Sequence, residues 1–390
     1  MVRFWMLGVA LAGLLGAGAA RADESTVTIG MILPMTGPFA STGKQERAAA
    51  ELYIQQHGDT VAGKKIVLEV KDDTGAPDVT KRLAEELIGN DHAKVLMGFG
   101  LTPLALAAAS VATEAKVPEI VTAAATAMIT EKSPYIVRAS FTLPQASAPM
   151  AEWAVKNGIK KVVTIVADYG PGIDAEKWFS DTFEKDGGTV TQKIRVPLKG
   201  PDFAPFLQRV KDDAPDAVFV FVPSGQGAIF MKEFVERGLD KAGIKLIGTG
   251  DVTDDDLLAD IGDSALGAVT THHYSAAHDS PENKAFVAAF EKANNGMRPN
   301  FMAVGGYDGM ALVYQALEKT KGDASGDALL AAMKGMSWMS PRGPVSIDPE
   351  TRDMVQNIYV RKVEKKDGAL YNVEFETIPD VKDPYKAAKH

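Results

Sequence analysis

Residues 28–43 read TIGMILPMTGPFASTG. Residues 27–29 and 31–33 make a β-branched, apolar run of the kind that forms a buried strand. The run breaks at Pro34 and turns through Thr36, Gly37 and Pro38, and apolar spacing over about 45–56 predicts a helix. A strand therefore empties into a polar, small-residue loop just ahead of a helix N-terminus. In open α/β sheets ligands sit at such places, because free backbone N–H groups and the helix dipole favour an anion.

The same unit recurs along the chain. Strands are predicted at 65–71 (KIVLEVK), 95–98 and 120–121, separated by helices at 77–88 and 105–116, and the last strand runs into Thr122-Ala-Ala-Ala-Thr126. The series then restarts with a helix at 146–157 and the strand 161–167 (KVVTIVA), which opens onto Asp168-Tyr169-Gly170-Pro171-Gly172. A helix at 173–186 and a strand at 189–196 follow, then a helix at 204–212 and the strand 217–222 (AVFVFV), which opens onto Pro223-Ser224-Gly225-Gln226. After a helix at 230–238, the strand 245–248 ends in Thr249-Gly250-Asp251. A strand-like 269–274 (VTTHHY), helices at 283–294, 303–319 and 328–336, and three strands between 343 and 377 complete the pattern. Alternation at this spacing means parallel sheets with helices on both faces, so the expected class is α/β with two doubly wound lobes. No long linker separates the two series, so short crossings acting as a hinge are expected between them.

The first 22 residues stand apart. Arg3 gives a positive start, 6–19 is apolar and small, and Ala20-Arg21-Ala22 fits a signal-peptidase site, so an exported chain cleaved after Ala22 is expected. That apolar run is too short to span a bilayer, and no second one follows. The full chain carries 42 Lys and Arg against 51 Asp and Glu, a formal net charge of −9, and the leader contributes only cations. A chain this acidic is a poor partner for nucleic acid, whose binding depends on neutralising phosphates. With no cysteine, disulfide scaffolds, thiol catalysis and a lipid-bearing cysteine at the cleavage site are excluded.

Catalytic and cofactor motifs fail on inspection. Gly43-Lys44 lacks both the upstream glycine and the following Ser or Thr of a phosphate loop, and Gly98-Phe-Gly100 meets Pro103 where a dinucleotide fingerprint needs glycine. His272-His273 is the one histidine pair; neighbours on a strand point to opposite faces, so a wall or packing role is expected and no metal. Asp254-Asp255-Asp256 lacks calcium-loop spacing and reads as an acid cluster at a helix start. No serine sits in a nucleophile elbow. What recurs is a set of hydroxyl and small residues where strands end: Ser41, Thr42, Thr102, Ala124, Thr126, Tyr169, Ser224, Gly250 and Asp251. Each alone reads first as a cap or turn residue. Together they would line the mouths of two facing sheets and hold a carboxylate with uncharged donors.

The leader, TIGMILPMTGPFASTG, the strand before Thr102, the TAAAT turn and VADYGPG resemble the periplasmic leucine/isoleucine/valine-binding family, over about residues 26–377. The resemblance implies a type I periplasmic-binding fold with two lobes joined by a three-crossing hinge, and a ligand trapped by closure. It places lobe 1 at 26–143 plus 274–345 and lobe 2 at 144–273 plus 346–377, with a tail at 378–390. It implies a freely diffusing periplasmic monomer that hands a small carboxylate to ABC permease subunits, without cofactor and without catalysis. Thr102 matches the family's hydroxyl on the ligand carboxylate, with Leu101 beside it. Ala124 and Thr126 match a turn that offers a carbonyl, an N–H and a hydroxyl, and Tyr169 matches an aromatic of the second lobe. Three departures bear on the ligand. Thr42 stands where relatives put an aromatic ring, Pro223-Ser224 where a tyrosine is expected, and Gly250 where a glutamate grips an amino group, with Asp251 one step on. Smaller residues make room for an aromatic or keto acid; branched-chain or other hydrophobic amino acids stay open if Asp251 meets the amine. A ligand-sensing receptor domain shares the fold, as a more distant alternative.

Overall fold

The computed structural model describes residues 25–389; the leader proposed at 1–22 lies outside the described residues. Six strands make the first sheet: β1 (Thr26–Leu33), β2 (Thr60–Val61), β3 (Lys64–Asp72), β4 (Val95–Gly98), β5 (Glu119–Val121) and β6 (Ile136–Arg138), in the order β2-β3-β1-β4-β5-β6. All pair in parallel except β2 with β3. The second sheet begins with β7 (Lys161–Ala167), β8 (Thr189–Val196), β9 (Ala217–Phe221), β10 (Lys245–Thr249) and β11 (Val269–His272). It continues with β12 (Ser337–Ser340), β13 (Gly343–Ile347), β14 (Met354–Lys366) and β15 (Ala369–Val381). Its order is β12-β13-β14-β11-β10-β9-β7-β8, with β15 paired to β14. The parallel part, β7 to β11, meets the antiparallel part at β11–β14.

Both sheets reverse their winding beside a ligand-loop strand. β1 lies between β3 and β4, and β7 lies between β8 and β9. Neighbouring loops part at such switch points and leave a crevice at the strand C-termini. The central strands β4, β5, β7 and β9 are buried on both faces, which is why they read as continuous apolar runs. Helix Phe301–Lys319 packs on the first sheet, its Met310, Leu312, Val313 and Leu317 buried with Val27, Ile29 and Met97.

Several elements differ from the sequence reading. The first helix starts at Ala40, so Ser41 and Thr42 belong to its first turn and not to the loop. β12 was not expected; it extends the tail strands by hydrogen bonding to β13, in the second sheet. β11 stops at His272, so strand alternation no longer governs the next residue, and the His272 and His273 rings lie side by side, centroids 4.4 Å apart. Asp254, Asp255 and Asp256 do not cap an exposed helix; Asp254 and Asp255 are buried and Asp256 is half-buried, all three in a hydrogen-bonded network. Among the described residues no helix is long and apolar enough to cross a membrane, and no cluster suits a metal ion.

Candidate functional site

The two switch points face each other across one cleft. From the first sheet come Phe39 and Thr42 after β1, Gly100, Leu101 and Thr102 after β4, and Ala123 to Ala125 after β5. From the second come Tyr169 and Pro171 after β7, Phe221, Pro223 and Ser224 around the end of β9, and Asp251 after β10. Leu143 and Met302 close the remaining wall. The cleft holds about 360 Å³ of empty space, part of it open to solvent.

Of the residues singled out in the sequence, Thr42, Leu101, Thr102, Ala124, Tyr169, Ser224 and Asp251 meet at this cleft. Ser41, Thr126 and Gly250 stand behind it. Thr126 shares a 2.7 Å hydrogen bond with the Thr102 hydroxyl and so fixes its rotamer. Ala124 donates its N–H to Phe99 O at 3.0 Å. Its carbonyl and that of Thr126 both accept from Arg138. The turn thus braces the cleft chiefly from behind. Phe99 adopts φ 71°, a conformation bulky residues rarely take, and Gly100 follows. A Cβ on Gly100 would sit 2.7 Å from Pro34 Cγ and 3.2 Å from Thr42 Cγ2, so only glycine lets this loop lie against Thr42.

The cleft has two polar poles. At one, Thr42 and Thr102 stand near the start of helix Thr102–Ala115, which has no side-chain cap. Its dipole and hydroxyls favour a negative charge there. At the other, Asp251 is buried, and its Oδ2 accepts from Thr249 Oγ1 at 2.9 Å, with His272 Nε2 at 3.5 Å. Burial pushes the His272 imidazole down to about 4 despite Asp251 beside it, so the ring is neutral near pH 7. Ser224 donates to Asp254 Oδ1 at 2.9 Å; burial, then the charges of Asp256 and Asp251, hold the Asp254 carboxyl well above the usual range. Tyr169 stacks over Phe221, ring centroids 6.1 Å apart, and burial, then Asp251, raise its phenol. Phe39, Leu101, Leu143 and Met302 add apolar lining to the same cleft.

Bonds across the cleft hold the lobes together. Ser41 Oγ donates to Asp256 Oδ2 at 3.0 Å, and Ala127 N–H donates to Asp174 Oδ2 at 2.8 Å. The sequence reading missed both acids in this role, and it missed Arg138, Arg342 and Arg361, each fully buried. Arg138 binds the Ala124, Thr126 and Phe141 carbonyls and Asp353, which also takes Lys386 from the C-terminal helix Pro384–Ala387. Arg361 lies under Gly250: a Cβ there would sit 2.0 Å from Arg361 Nη2 and 2.5 Å from His272 Cδ2. The position where the resemblance places a glutamate has no room for any side chain.

Residues 26–369 match the family described as periplasmic binding protein. The chain is similar to a solute-binding protein of an ABC transporter from Rhodopseudomonas palustris BisB5 solved with 3,4-dihydroxybenzoic acid. The identity is 65%, covering 93% of this chain and 99% of the other, with a TM-score of 0.92. It is also similar to an R. palustris solute-binding protein solved with 4-hydroxybenzoate, at 44% identity over 94% and 100% of the two chains and a TM-score of 0.90. A "Leu/Ile/Val-binding protein homolog 6" from Brucella melitensis biotype 1 is 45% identical over 95% of each chain.

Proposed function

The chain belongs to the family of periplasmic binding proteins, and from that premise we propose that it is the solute-binding component of an ABC importer, trapping a small aromatic carboxylate between its lobes. The observation that carries this reading is the cleft itself, which the two sheets line with the apolar Phe39, Leu101, Leu143, Phe221 and Met302 and the hydroxyl-bearing Thr42, Thr102, Tyr169 and Ser224. Such a cleft desolvates a ring while Thr42, Thr102 and the helix start satisfy its carboxylate. The ligands named for the similar R. palustris proteins are acids of this class.

On this reading the ligand binds the first lobe through its carboxylate. Closure then adds Tyr169, Ser224 and Asp251, and a permease recognises the closed pair without any turnover. The chain works in the periplasm as a monomer after loss of residues 1–22, with lobes at 26–143 plus 274–345 and 144–273 plus 346–377, strands β12 and β13 crossing over to pair with the second sheet. A hydrophobic amino acid is the second reading, because Asp251 presents a carboxylate to the cleft.

The test is a thermal-shift panel on protein unfolded, freed of carried-over ligand and refolded. Benzoate, 4-hydroxybenzoate and 3,4-dihydroxybenzoate should each raise the melting temperature by mass action. Shifts with leucine, isoleucine or valine, and none with the aromatic acids, would replace this reading with the second.

A further inference from the structure

We infer that Asp251 reads a hydroxyl on the ligand's ring, so that the protein selects hydroxylated benzoates over unsubstituted ones; this rests on the aromatic-carboxylate reading above.

Asp251 lines the cleft and is only 5% exposed. Its Oδ2 is committed to Thr249 Oγ1, and His272 Nε2 stands by at 3.5 Å without forming a hydrogen bond. Oδ1 receives no hydrogen bond from any described residue. When the lobes close on a ligand, a carboxylate oxygen lining the cleft loses its water, which is costly unless a ligand donor meets it. The ligand carboxylate cannot be that donor, because like charges in a dry site repel strongly. It is driven instead to the Thr42 and Thr102 pole. Whatever part of the ligand reaches Asp251 must then be the far end of the ring, and it must carry a hydrogen.

A neutral donor fits better than an ammonium. The Arg361 guanidinium is buried behind Gly250, with its ion pair to Asp255 at 3.9 Å. A cation brought up to Asp251 would also stand near that guanidinium, which lies against Gly250. A phenolic O–H supplies the missing hydrogen without a net charge, and it lies opposite the carboxylate when it stands para on the ring. A hydrogen bond to a charged acceptor is worth more than one between neutral groups.

The experiment measures dissociation constants by titration calorimetry for benzoate, 4-hydroxybenzoate and 4-methoxybenzoate, with leucine alongside, on refolded wild type and on Asp251→Asn. In wild type, 4-hydroxybenzoate should bind about 10- to 100-fold more tightly than benzoate, and 4-methoxybenzoate, which has no proton to give, should not share the gain. In Asp251→Asn the hydroxybenzoate-to-benzoate ratio should shrink about tenfold. Equal binding of benzoate and 4-hydroxybenzoate by wild type would overturn the inference while leaving the aromatic reading intact, as would a ratio unmoved in Asp251→Asn. If that variant does not fold, the wild-type comparison with 4-methoxybenzoate still decides. Binding of leucine with none of the aromatic acids would overturn both.

Discussion

Asp174 Oδ2 on the second lobe accepts the Ala127 N–H of the first at 2.8 Å. Asp174 lies in helix Gly170–Lys185, which begins one residue after the cleft aromatic Tyr169, and Ala127 follows Thr126, which orients Thr102. The bond touches no ligand-lining atom, and it exists only when the lobes are together. It therefore contributes to affinity through the closed state alone, since a group can shift an equilibrium only by its differential interaction with the two states.

Asp174→Ala should weaken every ligand by a similar factor, about 10- to 100-fold, the value of one charge-assisted hydrogen bond. Calorimetric titrations of wild type and variant check this. Unchanged affinity would mean that the contact adds nothing to closure.

Arg138 is the brace behind the same turn. Its Nε lies 2.8 Å from Asp353 Oδ1, both side chains are buried, and its other nitrogens hold three backbone carbonyls. Arg138→Met should cost about 3 kcal/mol or more in urea unfolding, because it leaves buried acceptors unpaired. A loss under about 1 kcal/mol would contradict the role given to this network.

Gly250 bears on ligand class. Placing there the glutamate that the family uses for an amino group would drive a side chain into Arg361 and His272. Gly250→Glu should give a protein that melts well below wild type and gains no affinity for leucine, as thermal unfolding with and without leucine would show. A stable variant that binds leucine would refute the steric argument.

The α/β fold was legible because doubly wound strands are buried on both faces, and such runs as Ala217–Phe221 announce themselves without any knowledge of what packs on them. Much of the cleft was legible for a related reason. Thr42, Thr102, Tyr169, Ser224 and Asp251 are polar residues at points where apolar strands have just ended. The apolar walls were not: Phe39, Leu143 and Met302 look like any core residue, and only the tertiary fold turns them toward a slot. Buried Arg138 and Arg361 were equally silent. A cation on a strand reads as a solvated face, and Arg138 finds Asp353 at a separation of 215 residues. Asp254 to Asp256 were read from local spacing alone, but their partners Ser224, Asn372, Ser41 and Asn300 come from distant segments.

Stability should fall on both sides of mildly acidic pH. Burial pushes the Glu46 carboxyl up to about 8, opposed by the hydrogen bond from Thr122. Between 4.5 and 8 the native state therefore keeps a proton that the unfolded chain has lost, and stability declines as pH rises through that window. His272 acts the other way: with its folded value near 4 and its ordinary value at 6.5, acidification through that interval favours the unfolded chain. From about pH 6.5 to 8 the Glu46 contribution is no longer offset by His272. Glu46→Gln should lose about 1–2 kcal/mol less than wild type over that interval in urea unfolding. Parallel curves for the two proteins would rule out a protonated Glu46.

The most direct test of the central claim is a calorimetric titration of ligand-stripped, refolded protein with 4-hydroxybenzoate and, separately, with leucine. The account predicts saturable one-to-one binding of 4-hydroxybenzoate and no heat of binding with leucine. Tight binding of leucine with no response to 4-hydroxybenzoate would contradict it.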